Sequence, residues 1–378
     1  MMTYHLLRLI WWALLGVLLA GFAITDGFDL GIGMLLPWVA RTDNERRVVL
    51  NTIGPVWEGN QVWFILGGGA VFAAWPLLYA VSFSGFYFAM LLVLLALILR
   101  PVGFKYRSKL PNLTWRQTWD ICLFIAGFMP ALLFGVALGN VLQGVPFHFD
   151  PTLRAFYTGT FLDLLNPFGL ICGLTSVAML ACHGSVFLLN KADGLIQQRT
   201  RRFTFISACL YIGLFALGGY WLATKVPGYA IQSTLLPDGP SNPLHKSVLR
   251  ETGLWMQHYQ QDPRLFTLPA LGFISALLTL LATHIKSYRA AWVCSALMVG
   301  STVATVGVSL YPFLLPSSSH PDMSLSIFDA SSSHLTLEIM LIATLIFMPL
   351  ILLYTSWVYY VLRGKVTEAD VRQDKQSY

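Results

Sequence analysis

Residues 6–25 read LLRLIWWALLGVLLAGFAIT, an apolar run in which Arg8 is the only charged side chain. A helix that crosses the hydrocarbon core of a bilayer needs about 20 consecutive, mostly apolar residues. Backbone hydrogen bonds must be made within such a segment, which favours helices over open strands. The run is too long for a secretory signal, and Asp26 follows without a small-residue cleavage site. It therefore predicts a membrane-spanning helix that is retained.

The rest of the chain repeats this pattern. Of its 378 residues, 56% are hydrophobic and 11% charged, whereas soluble domains carry about 25% charged residues. Barrel strands would appear as alternating segments of about ten residues, but these runs are continuous and rich in leucine. We expect one all-α integral membrane domain over residues 1–378, with an outer loop at 225–264. Its nine transmembrane helices are expected near residues 6–38, 52–74, 78–99, 119–142, 164–189, 203–224, 265–285, 290–315 and 335–362.

The Lys and Arg side chains fall unevenly on the two sides that nine spans define. Eighteen of the 24 lie on one side, and the other six are Arg8, Arg154, Lys225, Lys246, Arg250 and Arg264. Cytoplasmic loops of membrane proteins carry the excess of positive charge. We therefore expect the N-terminus outside and the C-terminus in the cytoplasm. The net charge of +6 is then a topology signal and does not indicate nucleic-acid binding.

Ionisable residues in or near a span are the best guide to function in a membrane protein. Asp26 and Asp29 are three residues apart, so on a helix they lie on one face. Nearby glycines at 27, 31 and 33 would let another helix approach closely. Two carboxylates in a low-dielectric environment cannot both ionise cheaply, which suits a proton relay. The alternative is that both acids face interfacial water at a helix end.

Two further candidate functional groups stand out. One is the pair Glu58 and Gln61, and the other is Arg100. Glu58 has no obvious cation nearby in sequence and is expensive to bury. It therefore needs a partner from another helix or subunit, or it acts as an acidic anchor at a helix N-terminus. Because Arg100 lies at the end of a predicted span, its long side chain is expected to extend (snorkel) to the membrane interface. Its alternative is an ion pair with Glu58 or with an acid of a partner chain.

No metal site is predicted. His183 is the one histidine well inside a predicted span, and a low-spin haem would need a second axial ligand. The five cysteines have no CxxC spacing, and we expect them to be packing residues: Cys122, Cys172, Cys182, Cys209 and Cys294. The glycine run 67–69 indicates close helix packing. These residues leave open a proton-coupled secondary transporter or a subunit of an electron-transfer complex.

Longer stretches resemble subunit II of the cytochrome bd quinol oxidases. They include RLIWWALLGVLLAGFAITDGFDLGIGMLLP (8–37), ERRVVLNTIGPVWEGNQVWFILGGGAVFAAWP (45–76), RPVGFKYRSK (100–109), LGNVLQGVPF (138–147) and YPFLLPSS (311–318). The resemblance runs from end to end. It implies two four-helix bundles plus a ninth helix, in a respiratory complex of the bacterial inner membrane that oxidises quinol and reduces dioxygen to water.

The resemblance also implies cofactors and partners. Two b haems and one d haem would be held by the homologous subunit I, which forms a heterodimer with this chain. A small single-helix accessory subunit, lipids and a structural ubiquinone are further expected partners. Trp57-Glu58 and Arg100 match the family's Trp-acid pair and arginine, and its first-span acids match Asp26 and Asp29. Close relatives carry Asp where this chain has Lys105, so we expect position 105 to be a surface site.

The resulting hypothesis gives the chain no catalytic residue. Asp26, Asp29 and Glu58 would line a hydrated proton path from the cytoplasm toward the haems of subunit I. A second expected group, Trp57, Arg100 and Gln61, would be structural or face the partner. A rival hypothesis is a purely structural subunit, needed for assembly of the haem-bearing complex but not for proton transfer.

Overall fold

The computed structural model describes residues 2–234, 236–367 and 369. Within these ranges the chain is mainly helical, so the all-α class is confirmed. Arg372 and Lys375, which enter the charge count, lie outside the described residues. The helices are α1 (Tyr4–Val39), α2 (Asp43–Ile53), α3 (Trp57–Ala74), α4 (Pro76–Gly85), α5 (Tyr87–Tyr106), α6 (Leu113–Gln143), α7 (Pro167–Lys191), α8 (Gly194–Thr224), α9 (Gln257–Gln261), α10 (Thr267–His284), α11 (Tyr288–Leu310) and α12 (His334–Val361).

Eight helical segments of the described chain are long and apolar enough to cross a membrane. They contain α1, α5, α6, α7, α8, α10, α11 and α12. The span predicted at 52–74 corresponds to the end of α2 and to α3, which is not among the eight. Helix α3 has only 18 residues and its first turns carry Glu58, Asn60 and Gln61, so it contains no 18-residue stretch as apolar as those in the eight.

Close backbone contacts hold α1 against α6 and α7. A Cβ atom added to Gly31 would lie 2.1 Å from the carbonyl oxygen of Leu180, and one added to Gly184 would lie 2.7 Å from the carbonyl carbon of Gly31. A Cβ on Gly127 would lie 2.4 Å from the carbonyl oxygen of Leu30. These glycines therefore allow helix backbones to touch, as small residues do in membrane bundles.

The glycine run 67–69 in α3 does not pack in this way. An added Cβ would meet no atom within 4 Å at any of the three positions. The prediction of close packing is therefore wrong within the described chain. The glycines lie on a helix that leaves much of its surface uncovered, with Ile65 and Phe72 at least 60% exposed.

Three two-stranded antiparallel hairpins cover one end of the helices in the described residues. They pair β1 (Phe147–Phe149) with β2 (Ala155–Tyr157), β3 (Pro227–Ile231) with β4 (Val248–Thr252), and β5 (Phe313–Leu315) with β6 (Leu325–Ser326). The predicted loop 225–264 thus contains a hairpin and α9. It is anchored because Tyr229 Oη and Trp255 Nε1 donate hydrogen bonds to the carbonyls of Gln143 and Leu142 at the end of α6, each at 3.0 Å.

The opposite end is organised by α2. Thr42 and Glu45 form a capping box, in which each side chain accepts a hydrogen bond from the backbone of the other. The Glu45 carboxylate also accepts from Arg199 of α8 at 2.8 Å. Burial raises the pKa of Glu45, but hydrogen bonds from Arg199 and from the backbone of Arg41 and Thr42 together lower it below its usual value.

We expect Glu45→Gln to destabilise the protein at neutral pH, since charge-assisted hydrogen bonds contribute about 1.5–3 kcal/mol. Because the folded-state pKa is depressed, this stabilisation is complete above the ordinary value of 4.5 and is lost as the pH falls through the lower folded value. Thermal unfolding of the native protein and the variant from neutral pH down to about pH 3 measures the difference, because the loss falls below the ordinary pKa. A gap that stays constant over that range would contradict the assignment, and exposed Glu251→Gln is the control.

Candidate functional site

A buried polar cluster lies where α1 meets α3, α5 and α12. Asp26 and Asp29 occupy one face of α1 and are 0% and 3% exposed, respectively. Neither acid faces interfacial water, so the helix-end alternative is wrong for the described chain. Because α1 runs unbroken from Tyr4 to Val39, both carboxylates lie well inside the helix.

Arg100 pairs with Asp26. Its Nη1 and Nη2 atoms donate to the two carboxylate oxygens at 2.5 and 3.0 Å. The expected snorkelling is therefore wrong, and so is the alternative pair with Glu58. Helix α5 continues through Pro101 to Tyr106, which places Arg100 inside the helix, where it is 4% exposed. A bidentate carboxylate offsets the cost of removing this guanidinium from water.

Trp57 forms one wall beside this ion pair. Its indole stacks on Phe104, with ring centroids 5.4 Å apart and planes inclined by 11°. The guanidinium carbon of Arg100 lies 6.0 Å from the Trp57 ring centroid, at the outer limit of a cation–π contact. Trp57 is 3% exposed, so in this chain it supports the Arg100 side chain from within the core.

Asp29 is held by a hydrogen-bonded chain across three helices. Asn60 Nδ2 in α3 donates to Asp29 Oδ2 at 2.8 Å, and Tyr359 Oη in α12 donates to Asn60 Oδ1 at 2.6 Å. Asp29 Oδ1 is buried without a hydrogen-bond partner in the described part of the chain. The cluster thus contains two carboxylates and one guanidinium.

Sequence reasoning missed Asn60 and Tyr359 as members of the site. Asn60 stands between Glu58 and Gln61 at the start of a predicted span. A third polar side chain at that place was the available signal. Tyr359 is 299 residues away in sequence, and nothing in the local pattern indicates its contact with Asn60.

Glu58 lies apart from the buried acids. Its side chain is exposed in the first turn of α3, and no ion pair joins it to the described residues. Gln61 is half-buried one turn further along. The structure therefore brings Asp26 and Asp29 together with Arg100, but it leaves Glu58 and Gln61 outside that cluster.

His183 does not offer a haem ligand. Its Nε2 atom lies 2.8 Å from the carbonyl oxygen of Ile24, and its Nδ1 atom lies 2.9 Å from Ser295 Oγ. Both ring nitrogens are engaged, so the residues around His183 do not fit an axially ligated haem. Among the described residues, no group of three metal-binding side chains is found, and all five cysteines are free thiols.

A second ionic network joins α2, α6 and the short 3-10 turn that follows α5. Asp120 accepts hydrogen bonds at 2.6 Å from both Arg46 and Arg107. Asp43 in turn contacts Arg107 at 3.0 Å and Arg116 at 2.5 Å. Asp120 links two arginines and is 4% exposed. This network fixes α2 against the helix ends.

The fold and the buried cluster define a polytopic α-helical membrane protein with a charged core shared by several helices. The family "Cytochrome bd terminal oxidase subunit II" matches residues 7–362. The chain belongs to this family, and it is therefore a membrane subunit of a terminal oxidase whose partner is subunit I. The open choice between transporter and electron-transfer subunit is thereby resolved in favour of the oxidase.

Several relatives are similar over their full length. The chain is 47% identical over 377 residues to "Cytochrome bd-I ubiquinol oxidase subunit 2" of Escherichia coli K12, covering 100% of both chains. It is equally similar to "Probable cytochrome oxidase subunit 2" of Haemophilus influenzae. It is 30% identical to "Cytochrome bd ubiquinol oxidase subunit 2" of Bacillus subtilis, covering 96% of this chain and 97% of the relative.

One solved structure has the same fold. A chain of the bd oxidase from Geobacillus thermodenitrificans superposes with a TM-score of 0.67, covering 94% of this chain and 97% of that chain. Its sequence is 17% identical, so this similarity concerns the fold alone.

Proposed function

We propose that this chain is subunit II of a quinol:O2 oxidoreductase, needed to assemble the haem-bearing complex and contributing to its proton uptake. The observation that carries the proposal is full-length similarity to ubiquinol oxidase subunits, at 47% identity over 377 residues. In this proposal subunit I holds two b haems and one d haem, where quinol is oxidised and dioxygen reduced to water. The engagement of both His183 nitrogens supports placing the haems in the partner.

The proposed arrangement has nine spans in the bacterial inner membrane, with α3 as the ninth. One four-helix bundle contains α1, α3, α5 and α6, and the other contains α7, α8, α10 and α11. α12 is the extra helix. The charge distribution supports an outer N-terminus and a cytoplasmic C-terminus. With this orientation, the buried cluster lies toward the cytoplasmic ends of α3, α5 and α12.

The surface proposed to meet subunit I consists of α3, α4, α5 and α12. Large hydrophobic side chains on these helices are exposed, including Ile65, Phe72, Tyr87, Leu345 and Leu353, each 60% or more. Exposed apolar surface of this extent requires either lipid or another protein. A small single-helix accessory subunit, lipids and a structural ubiquinone are the further proposed partners.

Proton uptake is proposed to involve Glu58 and Asp29. Arg100 neutralises Asp26, so Asp26 acts in positioning, and a second buried charge on Asp29 would be costly without its own cation. Asp29 is therefore the cluster member suited to carry a proton. Glu58, exposed at the start of α3, is the proposed entrance from the cytoplasm at the subunit boundary.

We expect Glu58→Gln to leave the amount of assembled complex unchanged but to slow quinol oxidase turnover and proton uptake by about tenfold or more. Positioned proton-transfer groups typically contribute about 10²–10⁴-fold. Oxygen consumption and proton uptake would be measured on vesicles with equal haem content. Glu251→Gln, an exposed acid on β4, is the control. Full turnover and full proton uptake in assembled Glu58→Gln complex would refute the entrance role.

The subunit assignment itself is tested separately. An affinity-purified chain should co-purify with a larger membrane subunit and show b- and d-haem bands in a reduced-minus-oxidised absorption spectrum. A colourless protein migrating alone, from cells that make these haems, would contradict the assignment.

A further inference from the structure

A polar cavity lies at the end of the molecule opposite the buried acid cluster. It occupies about 280 Å³ where α6 ends and α7 begins, beneath hairpins β1–β2 and β3–β4. Small-molecule sites usually occupy about 300–1,000 Å³, so this cavity has room for one small polar group. Its polar lining is formed by Asn140, Gln143, Tyr157, Asp163, Asn166 and Arg250.

The walls of this cavity are fixed by internal hydrogen bonds. Asn140 is 5% exposed, and its Nδ2 atom donates to the carbonyls of Val136 at 2.8 Å and Leu164 at 2.7 Å. Its Oδ1 atom accepts from Asn166 at 2.8 Å. Gly144 adopts a φ of +80°, and an added Cβ would lie 2.1 Å from Tyr229 Oη. These contacts hold the lining residues in place, so the side chains around the cavity cannot move together to fill it.

Two opposite charges line the cavity without pairing with each other in the described chain. Asp163 Oδ2 accepts from the backbone and hydroxyl of Thr160 at 2.8 and 2.9 Å, which lowers the pKa of Asp163. The carboxylate is thus ionised at neutral pH, and Oδ1 retains its accepting capacity. Arg250 Nη1 donates to the Ser318 carbonyl at 3.0 Å, while a guanidinium has five N–H donors.

Tyr157 supplies an unsatisfied donor at the same place. Its hydroxyl is buried, yet within the described residues it has no hydrogen-bond partner. The ring is held against α4, where a Cβ on Gly85 would lie 2.5 Å from it. Buried polar atoms nearly always have a partner, so an orphaned hydroxyl beside a cavity indicates a bound group that supplies one.

The polar cavity adjoins an apolar crevice. Leu164 lines both, and the crevice continues between Phe86, Ala89, Phe161 and Leu165. Leu162, next to Asp163, is 73% exposed. A polar cavity at the ends of membrane-spanning helices, with apolar surface directly beside it, matches the boundary between lipid headgroups and acyl chains.

We propose that this cavity binds the headgroup of a zwitterionic phospholipid that carries a primary ammonium group. The phosphate contacts Arg250, the ammonium contacts Asp163, and Tyr157 donates to a phosphate or glycerol oxygen. The acyl chains then lie against the exposed apolar surface beside Leu162. An anionic headgroup without an ammonium would place negative charge beside Asp163, and a choline headgroup has no N–H to donate.

The test uses the purified complex in nanodiscs of phosphatidylcholine with increasing phosphatidylethanolamine, and native mass spectrometry counts retained lipid. Arg250→Gln and Asp163→Asn should each weaken phosphatidylethanolamine retention about tenfold, equivalent to about 1.4 kcal/mol. Arg154→Gln and Glu251→Gln change exposed charges on the same hairpins and should retain it normally. Unchanged haem absorption verifies assembly of each variant.

Three results would overturn the proposal. The first is undiminished retention in both cavity variants. The second is equal retention of phosphatidylglycerol, independent of Asp163, which would assign the site to phosphate alone. The third is loss of a quinone mass in place of a lipid mass when Arg250 or Asp163 is changed.

Discussion

Arg100→Leu should abolish accumulation of the folded complex in the membrane. The substitution leaves Asp26 buried without its cation, three residues from a second buried carboxylate. Removing one partner of a buried ion pair costs about 3–5 kcal/mol, which is a large fraction of the stability of a typical protein. The measurement is the amount of chain and of haem in membranes, compared with the unsubstituted protein.

A matched pair of variants separates charge from geometry in this experiment. Arg100→Lys keeps the charge but loses the bidentate contact, so we expect partial accumulation. The double variant Arg100→Leu with Asp26→Leu removes both charges and should recover part of the loss, since apolar replacement of a buried pair is often tolerated. Accumulation of Arg100→Leu at the normal level would show that the pair does not stabilise the fold.

Gly31→Ala should be the most damaging single-methyl change in α1. The new Cβ would lie 2.1 Å from the Leu180 carbonyl oxygen, a backbone atom that cannot rotate away. Overpacking usually costs about 1–3 kcal/mol, and a backbone collision belongs at or above the upper end. Thermal unfolding of the purified complex measures the effect.

Gly16→Ala provides the control in the same helix. An added Cβ there would meet nothing within 4 Å, and alanine is favoured over glycine in a helix interior by about 0.5–1 kcal/mol. We expect no destabilisation from Gly16→Ala. Equal unfolding temperatures for the Gly31 and Gly16 variants would contradict the close contact between α1 and α7.

The helical class was predictable because it depends on the length and continuity of each apolar run, and both can be read from the local sequence. Counting the spans was harder at α3. That helix begins with Trp57-Glu58 and is only 18 residues long, so its polar first turns cannot be left out of any 18-residue stretch, as they can in the longer helices. The polar residues that lower its hydropathy include Asn60, which completes the buried site.

The site was predictable in part. The spacing of Asp26 and Asp29 placed both on one helix face, which the structure confirms. Their contacts with Arg100 and Asn60 join positions 74 and 31 residues apart, and local sequence carries no information on such distances. Arg100 was misassigned because an arginine near a predicted span end ordinarily reaches the interface, whereas α5 extends beyond that end.

The last helix has a consequence for synthesis in the cell. Of the 28 residues of α12, only Leu337 and Leu341 are buried in this chain. A newly inserted copy without its partner therefore displays a long apolar helix with little to restrain it, and membrane quality-control proteases act on such helices. Production of the two subunits in equal numbers then protects this chain, and any surplus of it should be short-lived.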